Sequence, residues 1–188
     1  MHLIRSAACV FVTLFAAAPQ DPVQQAAALQ RAAELARPAE PHRRLQRLLG
    51  LWNVISTTQT DAAPRVDRGT VEGTSLLGGR YVMLHYHLQV EGGALEAIQL
   101  LGFHTLHQVY TASWRDDHST WSVECSGAPD PVAADHLVLH GTLVDVRDPE
   151  GRPFRLELEL GEERVDVRLF DTVAGKLALR QSQRWTRD

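Results

Sequence analysis

The chain has 188 residues and a formal net charge of −4, with Lys176 the single lysine among 19 basic residues. That length suits one domain with a small appendage. Arginines interspersed with acids make no basic stripe, which argues against a nucleic-acid partner.

In chain order, residues 1–18 read as a secretory signal. His2 and Arg5 form a short polar, basic start, residues 7–15 an apolar core, and residues 16–18 a small-residue cleavage zone. The apolar run is too short to span a bilayer, which takes about 20 residues. An exported protein, periplasmic or extracellular, with no stable membrane span is therefore expected. Removing the signal takes Cys9 with it and leaves Cys125 alone. One cysteine makes no internal disulfide, so stability must come from the core.

Residues 19–40 read as a proline-flanked linker holding a weakly amphipathic helix over 23–37, which Pro38 and Pro41 stop. Residues 41–188 form the main domain. A second short helix opens at Pro41 or His42, carries the stripe Leu45, Leu48 and Leu49, and ends at Gly50. Strands follow over 51–60 and 66–77, the second with Gly69 and Gly73 marking a bulge or a close approach. Gly78-Gly79 then turns the chain.

Residues 80–127 read as a four-stranded meander. If the first turn centres on Gly92-Gly93, Tyr86 faces Gln99 and Leu84 faces Leu101. A turn at Thr105-Leu106 sets Leu101 near Tyr110, and one at Asp116-Asp117 sets Ala112 against Trp121 and Tyr110 against Val123. Side chains alternate across a strand, so these registers put Val82, Leu84, Tyr86, Gln99, Leu101, Tyr110, Trp114, Trp121 and Cys125 on one apolar face. His85, His87, Glu96, His104 and Glu124 fall on the other, wet face. Cys125 then reads as a small buried hydrophobe.

Further strands are expected over 136–146, 154–160, 164–171 and 177–187, with Arg164 and Arg168 pairing across strands to outward glutamates. Ten strands joined by short turns predict an all-β, antiparallel up-and-down barrel, because closing the sheet removes its edges. A barrel of that number is wider than the eight-stranded kind, so a lumen able to take a ligand is expected.

The motifs His42-x-x-Leu45-x-x-Leu48-x-Gly50-x-Trp52, Leu77-Gly78-Gly79-Arg80, Leu101-Gly102-Phe103-His104, Tyr110-x-x-x-Trp114 and Arg184-Trp185-Thr186-Arg187 occur in that order. In this the chain resembles the bacterial "domain of unknown function 1579" family, from about Pro41 to Arg187. The resemblance implies a calycin-like, lipocalin-type barrel and no established activity. The family commonly has Tyr-Asp where this chain has Phe103-His104, and Tyr where it has Trp185.

Pocket candidates are the inward Trp52, Tyr86, Gln99, Tyr110, Trp114 and Trp121, with Arg80 beside the Gly-Gly turn at the barrel mouth. A buried Gln or Tyr needs a partner, and a small apolar or amphipathic molecule in the lumen can supply one. The histidines offer a competing reading. His85 and His87 share a face, and with His104 they are candidates for a metal or haem site or for an enzymatic barrel. The register turns them to water and shows no carboxylate or thiol completing the set, so no metal and no cofactor is expected. No nucleophile elbow and no phosphate-binding loop occurs, so no catalytic residue is named. A third reading is an interaction module, in which the helix over 23–37 and the outward Met83, Ile98, Leu100 and Val109 dock a partner or a second copy as a homodimer.

Overall fold

The structure is a computed structural model that describes residues 21–146, 148–173 and 175–187. The signal assigned to residues 1–18 lies outside these. Two units are distinguished, Met1–Glu34 and Leu35–Asp188. The described part of the first, from Asp21 on, is nearly all helix: α1 runs Pro22–Leu35 and has no buried residue. Asp21 Oδ1 accepts the Val23 N–H at 3.0 Å, satisfying one of the unpaired donors of its first turn.

The second unit begins with helix α2, Glu40–Leu45, and a 3-10 turn, Gln46–Leu48. Ten strands follow: β1 Gly50–Thr58, β2 Arg65–Leu76, β3 Tyr81–Val90, β4 Gly93–His104, β5 Val109–Asp116, β6 Val123–Gly127, β7 His136–Leu143, β8 Arg152–Leu160, β9 Arg164–Val173 and β10 Lys176–Thr186. Each pairs antiparallel with its neighbour in sequence, and β1 also pairs with β10 to close the barrel. No helix among the described residues is long and apolar enough to cross a membrane.

The residues around α2 plug one end. Leu45, Leu48 and Trp52 are buried, and the Trp52 indole N–H donates to Leu48 O at 3.0 Å. The Arg187 guanidinium stacks 4.1 Å over the Trp52 ring while donating to the carbonyls of Arg47 and Leu49. The last residues of the barrel thus tie down its first turn. Gly50 starts β1 rather than ending the helix, at φ 90°, where a side chain would be strained.

His42 is buried against the Phe103 ring, and its Nδ1 accepts the Ala39 N–H at 2.9 Å. Burial, helped by the nearby positive charge of Arg80, lowers its pKa below the ordinary 6.5. As pH falls through 6.5 the unfolded chain takes up this proton before the folded one does. The His42 contribution is therefore complete above that pH and is lost on the way down to the folded pKa. Urea unfolding at about pH 8 and about pH 5.5 should show lower stability at the acid pH, with a smaller difference in His42→Gln.

The meander's faces are as the alternation predicts, but its registers are not. Leu84 faces Gln99 and Tyr86 faces Ala97, because the hairpin tip is Glu91-Gly92, one residue earlier than expected. Phe103 faces Tyr110 around a longer turn that Gln108 closes at φ 56°. Ala112 faces Cys125, and Tyr110 faces Gly127, so the third turn reaches to Ser122 and leaves Trp121 in a loop. Every slip is by an even number of residues, which preserves the face. Leu84 is wholly buried, whereas His85 is half-buried and His87 exposed on the outside.

On the outer wall Arg168 pairs with Glu157 at 3.2 Å and with Glu159 at 4.0 Å, as expected. Arg164 instead pairs with Asp166 on its own strand.

Candidate functional site

The barrel interior is filled at one end and open at the other. Trp52, Trp185, Phe103 and Tyr110 pack the half beside α2. The other half contains a cavity of about 430 Å³. That volume falls in the range of small-molecule sites.

Tyr86 forms the cavity floor. Its ring meets Trp114 edge-on at 4.9 Å and Trp185 at 5.8 Å, and its hydroxyl donates to Gln99 Oε1 at 2.8 Å. Burial pushes the Tyr86 phenol well above its ordinary pKa, so it stays a neutral donor. Two more glutamines line the space from β10. Gln183 Oε1 accepts the Trp185 indole N–H at 2.9 Å, and Gln181 Nε2 donates to Ser56 Oγ at 3.0 Å. Each glutamine is thus oriented through one end of its amide, leaving the other end to act on the lumen: N–H₂ of Gln99 and Gln183, C=O of Gln181. The walls are apolar, from Ala112, Val123, Phe154, Leu156, Val167 and Leu169. Cys125 lines one side, where burial, with Glu124 beside it, pushes its thiol up to about 12. It is a packing thiol rather than a nucleophile.

Among the described residues no Lys or Arg lines the cavity, while Asp116, Asp145 and His118 stand at its rim. The Arg152 guanidinium is held by Asp171 at 2.8 and 2.9 Å and by the rim residue Asp145 at 2.8 Å. Those hydrogen bonds raise its pKa further and commit its donors. The rim also borders the thinnest seam of the wall, where β6 and β7 share the pairs Cys125–Gly141 and Ser126–His140.

Of the sequence candidates, Tyr86, Gln99, Trp114 and Trp121 line the cavity, Trp121 from a loop at its mouth with 42% exposure. Trp52 and Tyr110 are buried at the plugged end and do not line it. Tyr110 lies near Arg44, whose charge opposes the upward pull of burial on the phenol. Arg80 is outside the lumen, donating twice to Ala36 O and once to Leu77 O. It fastens the segment entering α2. His85, His87 and His104 also lie outside the cavity. Gln181 and Gln183 were missed because a bulge between Leu179 and Gln181 reverses the alternation of β10. Without it, Leu177 and Leu179 would share a face with them; instead those leucines are exposed.

The sequence pattern of the family described as "Protein of unknown function (DUF1579)" matches residues 37–163. This chain belongs to that family. The match covers α2 and the strands through β8, and ends in the turn before β9. No curated protein matches the DUF1579 chain. Among solved structures it is similar to Rv2717c from M. tuberculosis, with TM-score 0.59 and 13% identity over 81% of this chain and 99% of that one. It is also similar to the S-type phycobiliprotein lyase CPES from Guillardia theta, with TM-score 0.54 and 11% identity over 84% of this chain and 96% of the other. At such identities the likeness is one of fold, a lipocalin-like barrel.

Proposed function

We propose that this DUF1579 protein is an exported, non-enzymatic carrier that holds a small, mainly apolar molecule in the open half of its barrel. The observation behind this reading is the apolar cavity of about 430 Å³ with three oriented glutamines and, among the described residues, no lysine or arginine in its lining. Apolar walls supply affinity by area removed from water, and the amide ends select a ligand with a neutral polar group. A carboxylate headgroup would meet the Asp116 carboxylate, with no lysine or arginine among the described lining residues. The preferred ligand is thus neutral or cationic rather than a fatty-acid anion. The lipocalin-like architecture is compatible with this role. Export rests on the composition of residues 1–18, and the intact mass of the mature protein tests it.

Native mass spectrometry of the purified protein should find a bound apolar compound. Titration with amphiphiles of one chain length, read by tryptophan fluorescence, should rank neutral and cationic headgroups above a carboxylate. Ala112→Phe places a ring in the cavity and should weaken binding by about tenfold or more, from lost volume and contact. Gln99→Leu should cost about three- to tenfold, the worth of one hydrogen bond. If the wild type binds none of the series, or prefers the anion, the carrier reading is wrong.

A further inference from the structure

The outer wall carries a second group of ligating atoms, separate from the lumen. His85 and His87 are two residues apart on β3 and so project from the same face. In the register of β3 with β4, His87 stands opposite Glu96 and His85 opposite Ile98, which sets Glu96 diagonally next to His85. His85 Nε2 lies 2.7 Å from Glu96 Oε1, and the two imidazole centroids are 4.2 Å apart. One donor atom from each of the three residues lies within 4.8 Å of the others, the only such group of three among the described residues.

We propose that His85, His87 and Glu96 form a surface site for a divalent transition-metal ion, Zn²⁺ in the first place and Cu²⁺ or Ni²⁺ as related ions. Two imidazoles and one carboxylate make a borderline donor set that suits these ions and not Mg²⁺ or Ca²⁺, which take oxygen ligands. With metal–ligand bonds of about 2.0–2.1 Å, tetrahedral donors sit roughly 3.3 Å apart. The present separations reach that by small side-chain rotations, with the His85–Glu96 hydrogen bond replaced by two bonds to the ion. The backbone positions are fixed by the sheet, so only side-chain freedom is lost. Water completes the coordination, or Glu72, which stands opposite His85 on β2. The ion would then staple β2, β3 and β4 across the outside of the barrel. The His104–His107 pair, with centroids 4.3 Å apart, has no third donor among the described residues and serves as the internal comparison.

The test is calorimetric titration of Zn²⁺ into chelator-stripped full-length protein, with and without excess Mg²⁺. One ion per chain, undisturbed by Mg²⁺, is expected. His87→Ala and Glu96→Gln should each weaken binding by about tenfold or more, whereas His104→Ala should leave it unchanged. Zn²⁺ should raise the unfolding midpoint of the wild type and of His104→Ala but not of His87→Ala. These side chains lie on the outer wall, and circular dichroism of each variant checks that the barrel is intact. No binding by the wild type, or wild-type affinity in His87→Ala, overturns the proposal. Either result leaves the lumen reading untouched, since none of the three residues lines the cavity.

Discussion

Replacing Trp52 by alanine should destabilise the protein by about 4 kcal/mol, near the upper end for a buried aromatic. The side chain has no exposed surface, and three groups depend on it. Leu48 O loses its indole donor, the Arg187 guanidinium loses the ring 4.1 Å beneath it, and Trp185 loses a neighbour at 6.5 Å. The plug would be released from the barrel wall together with the chain's last strand. Trp52→Phe keeps most of the apolar volume but leaves the Leu48 carbonyl unpaired, so about 2 kcal/mol is expected there. Chemical unfolding measures both. A loss below about 1.5 kcal/mol for the alanine variant would mean that the helical end does not stabilise the barrel.

Gly73→Ala should be nearly as damaging, although it adds one methyl group. A Cβ at position 73 would lie 1.9 Å from Leu48 O and 2.8 Å from its carbonyl carbon, backbone atoms that cannot rotate aside. The strand or the plug must shift, at a cost of about 3 kcal/mol, or roughly 10 °C in unfolding midpoint for a chain of this length. Gly92→Ala provides the comparison. Nothing lies within 4 Å of its added methyl, and its strain comes from a φ of 94° alone, worth about 1 kcal/mol. Equal midpoint losses for the two variants would show that close approach is not what position 73 requires.

Gly73 also shows what was legible beforehand. A glycine inside a strand marks either a bulge or a near neighbour, and here it is the neighbour, the carbonyl that the Trp52 indole also engages. Which of the two applied depended on where the α2 end docks, a contact between segments about 25 residues apart. The histidines carry the same lesson in a different form. Setting the first hairpin tip one residue late pairs His87 with Ile98 and hides Glu96; the actual tip pairs His87 with Glu96. The proposed third donor, Glu96, was in the sequence all along, two positions from where the assumed turn placed it.

What the sequence determined by itself was the number of strands, the closure and the sidedness of the meander and of β8 and β9; β10 escaped it, because its bulge reverses the alternation. Sidedness has a period of two, and a hairpin tip displaced by one residue moves the pairing by two, so errors of register cancel for the face. What only the tertiary structure decided was depth along the barrel and the company each residue keeps. Trp52 and Tyr86 point inward alike, yet one seals the plugged end and the other floors the cavity. Gln99 and Gln183 line the same lumen from β4 and β10 because the sheet closes and β10 bulges at Arg180. Alternation along a strand carries no information about either, since both depend on how distant strands are staggered when the barrel shuts.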